Sequence, residues 1–249
     1  MSGNVAPNVV TNGLVLCLDG ANTYSYPGSG LIWSDLTGNR NNFTLINGPT
    51  YDTSNGGSIL FDGINDYANI TYNPTLSVAS GHTLESWFYS TGRGTNAIFD
   101  GSGHLMRAGQ VEDSQFQLNY IYDYGAIGYL WFRSNNGNPY PSPGSFNFIG
   151  SPNYVAPANK WNLATVTRDL STVKIYVNGV LVTTVTNASI SSNPSWITYL
   201  GGSLTLGRTT GNNLINYKGK IAITRIYNRA LSDSEVLQNF NTHKGRFNL

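Results

Sequence analysis

Acid–base or hydrolytic chemistry in this chain would have to be built from three glutamates, Glu85, Glu112 and Glu235, and three histidines, His82, His104 and His243. Paired carboxylates work when two acids flank one bond from the same face. No glutamate here has an aspartate two residues later, so no strand sets two such acids side by side. Glu235 closes the run Ser232-Asp233-Ser234-Glu235, a helix-capping pattern. Glu85 lies inside an apolar strand run and reads as a hydrogen-bonded structural group. The histidines do not have the HExxH spacing, and neither a GxSxG elbow nor a phosphate-binding loop is present. Enzymatic activity is not expected.

Binding chemistry has better candidates. Asp62-Gly63-Ile64-Asn65-Asp66 places three oxygen-bearing side chains, Asp62, Asn65 and Asp66, on one loop, and calcium is a hard cation that takes such oxygens. Asp19-Gly20-Ala21-Asn22 echoes the pattern. The competing reading is a plain turn, because Asp and Asn side chains bond their own backbone in such loops. Among the aromatics, Phe116, Leu118, Tyr120 and Tyr122 alternate with residues that are mostly polar, which directs them to a core. Tyr129 and Trp131 are ambiguous, because Leu130 and Phe132 make both faces apolar. Tyr140, Phe146, Phe148 and Tyr154 stand among prolines instead and are the candidate ligand-binding or interface residues. Tyr suits this use because it offers large contact area at low entropic cost.

These residues must be positioned by strands. Aromatics make up 12% of the chain, charged residues only 11%, and glycine numbers 28, a composition suited to many short strands joined by turns. A length of 249 residues fits one two-sheet domain. Strands are expected at 14–18, 43–46, 58–61, 66–70, 83–90, 115–122, 127–133, 160–168, 203–207 and 218–227. The clearest hairpin joins 173–177 to 180–185 through Asn178-Gly179, a pair suited to a two-residue type I′ turn. One helix follows the capping box, with Val236, Leu237 and Phe240 as its apolar stripe. Residues 134–159 hold five of the ten prolines and cannot form a central strand. Cys17, the single cysteine, sits in an apolar run and reads as a buried, inert thiol.

Several classes are disfavoured. The net charge is +1 with no basic block, which argues against nucleic acid, and no apolar run has the length to span a membrane. The opening Met1–Pro7 lacks a charged n-region and an apolar h-region. Synthesis without a secretory signal is therefore the expectation.

Five blocks in order resemble laminin-G-like domains of the concanavalin-A-like class. They are Ser58-Ile59-Leu60-Phe61-Asp62-Gly63-Ile64-Asn65-Asp66-Tyr67, His82–Phe88, Lys160–Val166, Val173–Gly179 and Gly219–Ser232. The resemblance implies an all-β, antiparallel two-sheet jelly-roll sandwich with one short C-terminal helix, preceded by an N-terminal arm over residues 1–12. Related domains often hold calcium at a rim like the Asp62 loop. Where their motif has Asp-Glu, however, this chain has Ala222-Ile223, so a ligand and its polar partner are replaced. The leader Asn12–Asn22, with Trp33–Asn39 and Asn47–Tyr51, resembles stand-alone versions of the domain in tailed-phage structural proteins.

Two roles follow from the resemblance. The first is a non-catalytic virion protein (a capsid decoration, head-fibre or tail-appendage subunit) located on the particle. Its partners would be copies of itself and other phage structural proteins, with host glycan as a further partner. The alternative is a carbohydrate-binding module for extracellular or cell-surface glycans. In either role the 134–159 segment and the arm are the expected contact surfaces, and calcium is the one cofactor suggested.

Overall fold

The computed structural model describes residues 8–71, 73–76, 81–95, 102–108, 116–123, 127–134, 147–152, 155–186, 203–208 and 215–249. Two antiparallel sheets pack face to face. The first contains β1 (Leu14–Asp19), β4 (Thr50–Asp52), β5 (Ser58–Asp62), β7 (Gly81–Gly92), β12 (Trp161–Asp169), β13 (Thr172–Val177), β14 (Val180–Thr186) and β16 (Lys218–Tyr227). Their order is β14-β13-β12-β7-β16-β5-β4, with β1 also paired to β16. The second contains β2 (Ile32–Trp33), β3 (Phe43–Ile46), β6 (Tyr67–Thr71), β8 (Ser102–Ala108), β9 (Phe116–Asp123), β10 (Ile127–Ser134), β11 (Asn147–Gly150) and β15 (Ser203–Leu206), ordered β11-β10-β9-β8-β15-β6-β3-β2.

Alternation along each strand builds the core. Leu84 and Phe88 of β7, Val166 of β12, Ile175 of β13 and Ile226 of β16 face Phe43, Leu118, Tyr120, Leu130 and Phe132 from the opposite sheet in one buried cluster. Tyr120 is thus core, as its alternation predicts. The Asn178-Gly179 turn adopts φ of 51° and 78° and pairs Val177 with Val180, the geometry of a two-residue hairpin. In β11 the Phe148 backbone lies opposite Arg133 on an edge strand, where a proline-rich neighbourhood is tolerated.

Helix α1 (Asp233–His243) begins with the expected capping box: Ser232 accepts the Glu235 amide while Glu235 accepts the Ser232 amide. Its buried face differs from the expected stripe. Val236 and Asn239 are buried, whereas Leu237 is 46% exposed beside the hairpin tip. The helix and the 3-10 turn Lys244–Phe247 cover the outer face of the first sheet, so β7 is buried on both sides. Trp87 stacks on Phe247 and Phe240, with ring centroids 4.2 and 5.8 Å away. The polar face of β13 is also capped rather than bathed in water: Asp233 accepts from Lys174 Nζ and Tyr176 Oη, each at 2.7 Å.

The described part of the arm, residues 8–12, binds its own domain. The Val10 amide donates to Asn239 Oδ1, Tyr227 Oη donates to the Val10 carbonyl, and Gln238 Nε2 donates to the Asn8 carbonyl. No helix of the described residues is long and apolar enough to cross a membrane.

Candidate functional site

The carboxylates that could have supported hydrolysis are engaged elsewhere. Glu85 is 1% exposed; its Oε2 accepts from Arg225 at 3.4 Å and Asn239 at 3.0 Å, and its Oε1 accepts from Thr165 at 3.3 Å. Burial raises its pKa. Glu235 caps α1 and pairs with Arg229 at 2.6 Å, and the Arg229 bonds hold its carboxyl below the ordinary range. Glu112 lies outside the described residues. Cys17 is buried, which pushes its thiol pKa up and keeps it protonated.

The Asp62–Asp66 loop joins β5 to β6, and its carboxylates are occupied by backbone N–H groups. Asp62 Oδ1 accepts the amides of Ile64, Asn65 and Asp66, at 2.7, 3.2 and 3.5 Å. Asp66 Oδ2 accepts the Asp62 amide at 3.0 Å, and the carbonyl of Asn65 accepts from Asn47 Nδ2 at 2.8 Å. Asp66 is buried, which raises its pKa. A calcium ion needs several oxygens turned toward one point and free of N–H donors. Here amides hold Asp62 Oδ1 and Asp66 Oδ2, and the Arg208 guanidinium reaches the Asn65 carbonyl at 3.4 Å. The bonds present are those of a turn, and among the described residues no group of three or more His, Cys, Asp or Glu side chains is gathered as metal ligands. The echo at Asp19 is spent in the same way, on the Ala21 amide and on Arg246 at 2.7 Å.

What the loop does instead is form one wall of a pocket of about 380 Å³. The floor is the partly buried Leu60; its neighbour Phe61 turns to the opposite face and is fully buried in the core. The β3–β4 turn contributes Asn47 and Gly48, both at positive φ (68° and 104°), and Thr50 at the start of β4. Lys218, the first residue of β16, pairs with Asp62 on one side and Gly92 on the other. Between Gly92 and Ser90 the register slips, so that Thr91 has no partner on β16 and its side chain joins the pocket wall. Such a bulge re-aims a side chain at a sheet edge or site.

The wall is rigid. Thr95 donates from its amide and its hydroxyl to the Gly63 carbonyl, at 2.6 and 3.0 Å, and Asn216 Nδ2 bonds Thr95 Oγ1 at 3.1 Å. Arg208 lies over the Tyr67 ring, 4.9 Å from its centroid. Exposed donors and acceptors from Asn47, Thr50, Asp62, Thr91 and Lys218 are therefore held above an apolar floor. Small-ligand sites commonly combine an apolar lining with a few fixed polar groups.

A larger cleft of about 750 Å³ runs between β12–β13 and the start of α1. Four of its five charged lining residues are paired, Lys174 with Asp233 at 2.7 Å and Arg229 with Glu235 at 2.6 Å, and the fifth is the exposed Asp169. The smaller pocket is the better site because its one cationic group, Lys218, has no ion-pair partner among the described residues.

Of the residues expected to make contacts, Asp62 and Asp66 line this pocket and Asn65 contributes its carbonyl to the loop behind it. Phe148 is placed only as backbone of β11, and Tyr140, Phe146 and Tyr154 lie outside the described residues. Lys218 and Thr91 are absent from the residues singled out by sequence. The only hint of Lys218 was a lysine opening the last strand block, and nothing local marks the bulge at Thr91.

The fold is that of a two-sheet jelly-roll domain. The profile of the concanavalin A-like lectin/glucanases superfamily, in its laminin-G form, matches residues 62–237, and the chain belongs to that family. No curated protein matches the sequence. Among solved structures, domain 4 of AbnA, a GH43 extracellular arabinanase from Geobacillus stearothermophilus, was determined with arabinotriose. It is 19% identical, with a TM-score of 0.62 over 91% of this chain and 97% of that one. The botulinum neurotoxin type C structure, whose title ties cell entry to two ganglioside molecules, is 16% identical at a TM-score of 0.65, covering 92% and 51%. The binding domain of Paraclostridial Mosquitocidal Protein 1 gives 18% and 0.65, covering 92% and 52%. The chain thus spans about half the length of the toxin binding domains. At these identities the likeness establishes the fold.

Proposed function

We propose that this chain is a non-catalytic carbohydrate-binding domain whose ligand occupies the pocket walled by Asn47-Gly48, Asp62–Asp66, Thr91 and Lys218. The observation that carries the proposal is the set of exposed, braced donors and acceptors around the partly buried Leu60. A sugar ring presents hydroxyls that both donate and accept, together with C–H faces suited to such a floor. Rigid walls lower the entropic cost of binding. The arabinotriose of the arabinanase domain and the gangliosides of the toxin support the reading by showing what similar folds have been solved with or linked to.

Calorimetry against arabinotriose and a panel of neutral and acidic oligosaccharides tests this. Thr91→Trp fills the pocket from an exposed position, so affinity is expected to fall more than tenfold while the thermal melt stays within a degree or two. Binding that ignores the substitution moves the site elsewhere. No binding to any glycan ends the carbohydrate reading.

A second reading is favoured by the likeness of Asn12–Asn22 and Trp33–Asn39 to tailed-phage structural proteins. In that reading the domain is a virion subunit assembling with its own copies and other phage proteins. The expected contact segment is 134–159, and the pocket would serve host-glycan attachment. Gel filtration and co-sedimentation with purified particles test it; a monomer that never joins particles removes it.

A further inference from the structure

We infer that the ligand class of the pocket is an acidic sugar, one carrying a carboxylate or a sulfate, and that Lys218 is the residue that selects it. This rests on the carbohydrate reading above and narrows it.

Lys218 is set apart from the other lysines of its sheet. Its strand neighbour Lys220 pairs with Asp52 at 2.6 Å and lies over the Tyr89 ring, 5.5 Å from its centroid. Lys174 pairs with Asp233 at 2.7 Å. For Lys218, no carboxylate among the described residues lies within ion-pair distance, although two aspartates share its pocket. The reason is visible in the loop. Three backbone amides converge on Asp62 Oδ1 and one on Asp66 Oδ2, so these carboxylates face the loop's own N–H dipoles. Those two oxygens are taken up by the loop's own amides, whereas the exposed ammonium has no carboxylate partner among the described residues.

The lysine is also held. Gly63 has φ +78°, and a Cβ built on it would meet Lys218 Cβ at 2.6 Å and Cγ at 3.0 Å. Gly63 thereby leaves room for the stem to lie against the loop backbone. On the far side of the same loop, Arg208 reaches the Asn65 carbonyl and adds a second positive charge. The remaining pocket groups, Asn47, Thr50 and Thr91, are neutral. An anionic substituent set against Lys218 gains a charge-assisted hydrogen bond, which is shorter and stronger than a neutral one. A hydroxyl there gains only the ordinary bond.

The test is calorimetry with trigalacturonate, its carboxyl-reduced neutral counterpart, a sulfated oligosaccharide and arabinotriose, on wild type, Lys218→Met and Lys218→Arg. Met keeps the stem over Gly63 without the charge, and a thermal melt within a degree of wild type confirms folding. Wild type is expected to bind at least one acidic sugar about tenfold tighter than the neutral counterpart, about 1.4 kcal/mol. That preference should shrink as salt is raised from 50 to about 300 mM, where screening is stronger. Lys218→Met should erase the preference by weakening acidic sugars more than neutral ones, and Lys218→Arg should retain it. The carboxylate and sulfate arms show which anion is preferred. Equal affinity for acidic and neutral sugars, or a preference that survives Lys218→Met, overturns the inference and leaves the carbohydrate reading standing. Absence of binding to all four sugars overturns both.

Discussion

Beneath helix α1, Glu85, Arg225 and Asn239 are buried and bonded to one another, while at the β5–β6 loop Asp62, Thr91 and Lys218 reach solvent. The two regions use the same kinds of side chain to opposite ends. Under the helix every charge has a fixed counterpart, and the result is a cap that locks helix, arm and sheet together. At the loop backbone amides hold Asp62 Oδ1 and Asp66 Oδ2, and Lys218 has no carboxylate partner among the described residues. The contrast shows that chemical availability depends on what each group is already bonded to, and much less on which acidic or basic residues are present.

The largest expected effect concerns the cap. Glu85→Ala strands the Arg225 charge in a buried site and should cost about 3–5 kcal/mol of folding stability. Glu85→Gln, which keeps an acceptor for Asn239 and Thr165, should cost distinctly less. Urea melts of both variants check this; a small loss for Glu85→Ala would mean that the cap is not the locked element described.

Acidification should loosen the cap next. Burial, then the Arg225 charge, lowers the His243 pKa from 6.5 to about 4. The unfolded chain therefore binds more protons than the folded one between pH 6.5 and 4, and stability falls as pH drops through that window. His82, with its pKa lowered by burial to about 3, acts in the same direction. The loss attributable to His243 should be about 1–3 kcal/mol at about 1.4 kcal/mol per unit, discounted for its partial exposure. Melts at pH 7 and pH 4.5 for wild type and His243→Gln measure it, and the variant should show the shallower dependence.

Ser232→Ala removes the side-chain acceptor of the capping box and should cost about 1 kcal/mol, read from the same melts. Pocket ligand binding should be unaffected, since Ser232 belongs to the other region.

The smallest effect is expected at the loop. Because backbone amides occupy Asp62 Oδ1 and Asp66 Oδ2, adding calcium or a chelator should leave the melting temperature unchanged. A bound ion would raise it by linkage. A rise of several degrees with calcium would reverse the contrast between the two regions and make the loop a metal site.

How much of this could be read from the chain alone varies with the range of the interaction. Asn178-Gly179 announced its turn because only residues tolerant of positive φ fit both central positions. Ser232 and Glu235 announced the helix start because both capping bonds close within four residues. Alternation through Val173, Ile175 and Val177 placed one face in the core, because pleating forces a period of two. Leu237 misled. Apolarity suggested a buried stripe, yet the helix turns Asn239 inward to meet Glu85, the Val10 amide and Tyr227. A buried asparagine is stable only with such partners, and they come from three distant segments.

The amino-acid sequence by itself determined the two-sheet class, the hairpin, the helix and its cap, and the turn at Asp62, because each depends on periodicity or on bonds between near neighbours. Tertiary structure alone decided that Phe247 stacks on Trp87, that the Val10 segment joins the domain, and that the β7 bulge turns Thr91 toward Lys218 and the Asp62 loop. Those contacts join residues far apart in the chain. Their register depends on how the completed sheets pair and on which polar groups find partners, and no local pattern encodes that.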